Sequence, residues 1–207
     1  NPDDLTGTAS LTFTINGVPD APSVVIAPDP ATSPDDLVAV VNAGADPEGD
    51  SQTFLYQWSK DGVLDSSITG DVVPNPMTAK NEVWTVRVTP NDGYGNGPLG
   101  EDSVVVSNSL PVVSVVSISP ANPSVSDTMV CSYSFSDDDY DTDASAIEWT
   151  VGSTVVGTGA SLAAGSAAKG DTVVCTVTAN DGEEDGNSEM DSVTVLNSAP
   201  ILSGVSI

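Results

Sequence analysis

The chain has 207 residues, with 30 acidic side chains against four basic ones and no histidine, giving a formal charge of −26 at neutral pH. A surface this acidic repels nucleic acid and anionic lipid and attracts cations, which sets nucleic-acid binding aside. No apolar run is long enough to span a bilayer, so this segment is not expected to insert into a membrane. Without histidine, and with few lysines, the common general bases and nucleophiles are scarce, and the chain does not read as an enzyme.

Taken from the N-terminus, residues 1–22 read as the closing strand and linker of a preceding domain. The next two stretches, 23–109 and 110–198, are copies of one another. Trp58 and Trp149 each follow an acidic cluster, Asp46-Pro47-Glu48-Gly49-Asp50 and Asp137-Asp138-Asp139-Tyr140-Asp141, and stand 91 residues apart. Val88-Thr89-Pro90-Asn91-Asp92-Gly93 returns 89 residues later as Val177-Thr178-Ala179-Asn180-Asp181-Gly182. Asn108-Ser109-Leu110-Pro111 returns as Asn197-Ser198-Ala199-Pro200. Residues 199–207 open a further copy, because Val205-Ser206-Ile207 repeats Val116-Ser117-Ile118. A period near 90 residues is a whole domain, so the sequence reads as beads on a string and as a window on a longer protein.

Short alternating runs rich in Val and Thr, with no helical periodicity, predict an all-β chain. The first copy gives strands at 23–27, 37–43, 53–59, 83–89 and 103–107. The second gives 112–118, 128–135, 146–151, 172–178 and 192–196. Two further apolar strands, 8–15 and 201–207, either pair within their own domains or are lent to a neighbouring subunit in a filament. Cys131 and Cys175, 44 residues apart, suit no metal-knuckle spacing. Met129, Cys131, Tyr133 and Phe135 share one strand face, and Val173, Cys175 and Val177 another. If both faces point into one core, the cysteines meet as a disulfide, which implies an oxidising, extracytoplasmic setting.

The succession Cys131, Trp149, Cys175 resembles the Cys…Trp…Cys pattern of immunoglobulin-like domains, in which a disulfide links two sheets over a buried Trp. In the first copy, Val40 and Val86 stand at the cysteine positions around Trp58, an apolar pair in place of the bond. The chain departs from the pattern at Val173, where the tyrosine corner would need Tyr, and it lacks the Trp-x-Phe-Gly-Asp-Gly signature of polycystic-kidney-disease domains. Thr12-Phe13-Thr14-Ile15-Asn16-Gly17-Val18-Pro19-Asp20-Ala21-Pro22 is similar to the strand and linker that end cadherin-like repeats in bacterial adhesins. The resemblance implies tandem Ig-like β-sandwiches of a giant bacterial or archaeal surface protein, working as a stalk, adhesin or filament. An alternative is a glycan- or partner-binding module of an adhesin or secreted enzyme, for which Tyr94 is the exposed aromatic candidate. Trp58, Trp84 and Trp149 read as core. Lys80 and Lys169 raise the idea of an isopeptide bond, but their turn-like context fits a surface role better.

Alternating acids suit a hard cation that takes six to eight oxygens, and calcium is the expected ligand. Asp46, Glu48 and Asp50, like Asp137, Asp139 and Asp141, have that spacing, although neither run continues as an EF-hand. The Ig-like resemblance places the second acidic run at the same end of the sandwich as Asp181, beside Asn108 in the incoming linker. In the first copy the corresponding set is Asp46, Glu48 and Asp50 with Asp92, and Asp20 in the linker. Calcium there would stiffen the string against its neighbouring repeats, as in cadherin-type arrays. The alternative is that these acids are solvated turns, with Asp92-Gly93 and Asp181-Gly182 as ordinary turn residues.

Overall fold

The computed structural model describes residue 13 and residues 15–198. The chain divides into two compact units, Asn1–Ser107 and Asn108–Ile207. Among the described residues there is no α-helix, and one 3-10 turn, Asn75–Met77, interrupts the strands. The expected terminal strands lie outside the described residues, except that residues 13 and 15 are described and not in a strand.

The first unit contains β1 Ser23–Ala27, β2 Ala31–Thr32, β3 Leu37–Asn42, β4 Thr53–Lys60, β5 Val63–Asp65, β6 Val72–Val73, β7 Val83–Asn91 and β8 Gly100–Ser107. They form a small sheet, β1-β3-β6, and a larger one, β2-β8-β7-β4-β5. The second unit contains β9 Val112–Ser119, β10 Met129–Ser136, β11 Ala146–Val151, β12 Thr154–Thr158, β13 Ser161–Leu162, β14 Thr172–Asn180 and β15 Asp185–Thr194. Its sheets run β13-β10-β9 and β12-β11-β14-β15, the same order apart from β2, which is reduced here to one parallel bridge between Ser124 and Leu196. Each unit is an Ig-like β-sandwich. Pro28 and Pro30 separate β1 from β2; neither can donate to a ladder, so the chain leaves the small sheet and joins the large one.

Strict alternation builds both cores. Along β7, Trp84, Val86 and Val88 are fully buried, and along β14 the same is true of Val173, Cys175, Val177 and Ala179. The opposing faces of these strands carry Thr, Arg and Val at least partly open to solvent. Trp58 and Trp149 anchor the two cores, and each satisfies its indole N–H on a backbone carbonyl, Gly70 at 3.0 Å and Gly159 at 2.8 Å. A buried indole needs such an acceptor, because an unpaired donor in the core costs about 1–3 kcal/mol. Cys131 on β10 is bonded to Cys175 on β14, with 6.4 Å between Cα atoms, and this disulfide ties the two sheets of the second unit together.

The first unit corrects one expectation. Val86 is buried opposite the small sheet as foreseen, but Val40 is 48% exposed and Ala39, 4% exposed, is the core residue. Strand β3 matches β10 at an offset of 92, Leu37 with Met129 and Ala39 with Cys131, whereas the two tryptophans differ by 91. The extra residue lies between strand and acidic loop, seven steps from Ala39 to Asp46 against six from Cys131 to Asp137. A slip of one residue in a strand moves every side chain to the other face. Ala39, not Val40, therefore holds the place of Cys131.

Candidate metal centre

The acidic run of the second unit is shaped first by its own leading residue. Asp137 Oδ1 accepts the backbone N–H groups of Asp139 at 2.8 Å and Asp141 at 3.2 Å. Asp46 Oδ1 does the same for Glu48 at 3.1 Å and Asp50 at 2.8 Å. This local bonding curls each run into a tight loop, and the backbone turns left-handed at equivalent positions, Gly49 (φ 77°) and Tyr140 (φ 62°). Tyr140 adopts that conformation while its side chain is 93% exposed.

The loop between β14 and β15 is built on the same principle. Asp181 Oδ1 accepts the N–H groups of Glu183 and Glu184, both at 2.7 Å, and Asn180 Oδ1 accepts that of Gly182 at 2.8 Å. In the first unit Asp92 Oδ1 accepts from Tyr94 at 2.8 Å and Gly95 at 2.7 Å. Asp92 and Asp181 thus do serve as turn residues. They are also among the few buried polar side chains, 6% and 5% exposed.

The incoming chain is clasped by these loops in both units. Asn108 Nδ2 donates to Asp181 Oδ2 at 2.7 Å, and the N–H of Ser109 donates to Asp139 Oδ2 at 2.6 Å. In the first unit Asn16 Nδ2 donates to Asp92 Oδ2 at 2.8 Å, and the N–H of Gly17 donates to Glu48 Oε2 at 2.9 Å. The Asn108 amide is the main reason the Asp181 carboxyl falls to about 2, with the loop N–H groups adding to it. Asn16 lowers Asp92 in the same way.

The sequence reading missed Asn16 and Gly17; it placed Ser109 in the incoming linker without the bond it makes. The signal was present, since Asn16-Gly17-Val18-Pro19 matches Asn108-Ser109-Leu110-Pro111, but Asp20 drew attention by its charge. Asp20 aligns instead with Val112; it is exposed, and its backbone N–H donates to Ala45 O at 2.8 Å. Asp139 and Glu48, read as ligands, are engaged with the incoming backbone.

The remaining acids converge in one unit. Among the described residues, Asp137, Asp141 and Asp181 form a group of three in which one carboxylate oxygen from each lies within 4.8 Å of the other two. Asp46, Asp50 and Asp92 do not form such a group. Two oxygens on opposite sides of a calcium ion, at roughly 2.3–2.6 Å each, would be separated by about that distance. Asp137 Oδ2 is buried and has no hydrogen-bond partner among the described residues, and neither has Oγ of Ser109, next to Asn108. Asp46 Oδ2, the counterpart of Asp137 Oδ2, is in the same condition. A buried carboxylate oxygen without a donor is costly and is the kind of atom a cation satisfies.

No protein-family model matches the chain, and no curated protein matches it. Solved structures resemble the chain at low identity. The chicken interferon gamma receptor alpha chain is 12% identical with a TM-score of 0.46, over 88% of this chain and 100% of that one. Sidekick-1 immunoglobulin domains 1–4 give 14% and 0.43, over 89% of this chain and 51% of that one. The FN1–FN3 domains of chicken CNTN1 give 14% and 0.37, over 89% and 70%. At these scores no function carries over.

Proposed function

We propose that the chain is a structural segment of an extracellular microbial surface protein, a stalk, adhesin or filament of tandem Ig-like domains, in which calcium braces the acidic end of the second unit. The observations that carry the calcium reading are the approach of one carboxylate oxygen each from Asp137, Asp141 and Asp181 to within 4.8 Å of one another and, separately, the buried, unpartnered Asp137 Oδ2. The residues suit a hard cation: three carboxylates offer charged oxygens, and water completes six to eight ligands. Because Asp139 and Asp181 already hold Ser109 and Asn108, an ion at this point would lock two loops and the incoming segment into one body. The disulfide supports an oxidising compartment. The charge of −26 supports an environment rich in cations.

Calorimetric titration of calcium into the chelator-treated chain tests the reading. One saturable site is expected in the parent and none in Asp137→Asn; a parent that takes up no heat at millimolar calcium would overturn it.

The second reading, a glycan- or partner-binding module, is favoured by two loop aromatics, Tyr94 and Tyr140, which are 79% and 93% exposed. Aromatic rings of this kind stack on sugar faces and are enriched in recognition surfaces. A glycan array probed with the chain, with Tyr94→Ala and Tyr140→Ala as controls, separates this reading from a purely structural one.

A further inference from the structure

The clasp on the incoming chain starts from an asparagine in both units, Asn16 and Asn108, but the residue that follows differs. In the first unit it is Gly17, and packing favours that glycine: a Cβ at this position would meet Cγ of Pro47 at 2.8 Å. In the second unit Asp138 stands at the place of Pro47, and Ser109 is accommodated, 5% exposed. The first clasp is therefore closed by an Asn-Gly pair. With no Cβ on the second residue, its backbone nitrogen is open to attack on the neighbouring side-chain amide.

Both groups that would react within this pair are held by carboxylates. Asn16 Nδ2 donates to Asp92 Oδ2 at 2.8 Å, and the Gly17 N–H donates to Glu48 Oε2 at 2.9 Å. Asn16 Nδ2 also donates to the Gly17 carbonyl at 2.9 Å, so the amide is folded over the residue that follows it. For a ring to close, the Gly17 nitrogen must turn from Glu48 toward Asn16 Cγ, and the amide must leave Asp92. Asn96-Gly97, the other such pair in the sequence, is held within one loop. There Asn91 Nδ2 donates to Asn96 Oδ1 at 2.6 Å and the Gly97 N–H to Pro90 O at 2.9 Å.

We propose that Asn16 is a deamidation site gated by its own clasp, stable while Asp92 and Glu48 hold the pair and reactive once they release it. In the open state the Gly17 nitrogen bonds to Asn16 Cγ and the Cγ–Nδ2 bond breaks. Ammonia leaves with the proton that the Gly17 nitrogen gives up, and solvent water opens the imide to aspartate or isoaspartate. Neither product can donate to Asp92 at neutral pH; each sets a second carboxylate against it. The Asp92 carboxyl is lowered chiefly by the Asn16 amide, the group that the reaction destroys. A clasp that reacts while open therefore does not close again. Ser109 carries the Cβ that hinders ring closure, so the second unit keeps its asparagine. Calcium plays no part in this chemistry.

The test is peptide mapping by mass spectrometry of the whole chain, aged at neutral pH in heavy-oxygen water, which labels each converted residue. Asn16 should convert readily in denaturant and much more slowly in the folded chain, while Asn108 in the folded chain stays asparagine. Asp92→Ala and Glu48→Ala, aged folded, should each speed conversion by about tenfold, the scale of losing one charge-assisted hydrogen bond. Glu48 is exposed, so its variant keeps the test decisive should Asp92→Ala disturb its loop. Asn16→Asp should expose the Gly17 amide to hydrogen exchange. Conversion as fast in the folded chain as in denaturant, a rate unmoved by Glu48→Ala, or an Asn16→Asp chain with its Gly17 amide still protected would overturn the proposal.

Discussion

Asp191 in β15 accepts a hydrogen bond from the backbone N–H of Ile118 in β9 at 2.8 Å, stitching the last strand of the second unit to its first across the seam between the two sheets. Asp102 in β8 does the same for Ile26 in β1, at 2.7 Å. Ile26 and Ile118 are buried, 1% and 6% exposed, so each carboxylate satisfies a backbone donor that water reaches poorly. The side chain here replaces a missing strand ladder.

Truncating that side chain should therefore cost more than a surface contact. Asp191→Ala is expected to destabilise the second unit by about 1–3 kcal/mol, the penalty for an unsatisfied buried donor. Asp191→Asn, whose carbonyl oxygen still accepts, should recover much of the loss. Native-state hydrogen exchange at Ile118 is the measurement. An amide as well protected in the alanine variant as in the parent would show that the seam does not depend on Asp191.

The placement of Ala39 opposite Val86 makes a covalent test of register possible. Cys131 and Cys175 close a loop of 44 residues, and a bond of that span stabilises by about 4 kcal/mol in the chain-entropy model. Ala39→Cys with Val86→Cys should transfer the staple to the first unit. Val40→Cys with Val86→Cys should not, because residue 40 faces outward. Intact-mass analysis after alkylation without reductant distinguishes them: no label on the first pair and two on the second are expected, and the reverse would restore the offset of 91.

The same pair shows what the sequence could and could not convey. Long, apolar strands such as β7 and β14 announce themselves by alternation, as do the core tryptophans and the disulfide. Ala39 was hidden because one landmark offset was carried across an inserted residue, and the alternating face of Leu37-Val38-Ala39-Val40-Val41 is apolar in either register. The strands β2, β5, β6 and β13, two or three residues each, are too short for any period to register. β8 and β15 begin earlier than foreseen, at Gly100 and Asp185, because backbone ladders extend through polar residues that no hydrophobic pattern marks. Acid spacing pointed to the loops that converge, but not to which acids would be spent on backbone N–H groups. That division depends on where Ser109 and Gly17 meet the loops.

Acid pH should act through Asp181. Its carboxyl is lowered from an ordinary 3.8 to about 2 in the folded chain, so ionisation favours the folded state. The contribution is fully present above the ordinary value and is lost as pH falls through about 2. Asn108→Ala removes the main cause of the shift, so Asp181 should titrate closer to its ordinary value and the second unit should unfold at higher pH. Carboxyl-carbon NMR titration of Asp181 checks the first effect and acid unfolding the second. An Asp181 that titrates unchanged in the variant would show that the loop N–H groups alone hold it.

Calcium should reverse the order of stability of two variants. Asp137→Asn keeps an Oδ1 to accept the N–H groups of Asp139 and Asp141, so the loop can persist, while the charge facing Asp141 and Asp181 is gone. In chelator this variant should be as stable as the parent or more so, because like charges in a cluster are relieved. In calcium the parent should overtake it, since a ligand bound only to the folded state adds about 2.7 kcal/mol at a hundredfold excess over Kd. Extracellular calcium modules bind at about 10⁻⁴–10⁻³ M, so the crossing requires tens of millimolar ion and a matched magnesium control. Asp139→Asn should behave differently, weakening the clasp on Ser109 in chelator and calcium alike, because Asp139 Oδ2 is engaged with that backbone N–H. The first unit, whose acids do not form such a group, should respond less. Melting curves of parent and both variants in the three buffers decide the matter. Parallel curves with no crossing between Asp137→Asn and the parent would leave Asp137, Asp141 and Asp181 as three turn residues that happen to lie close together.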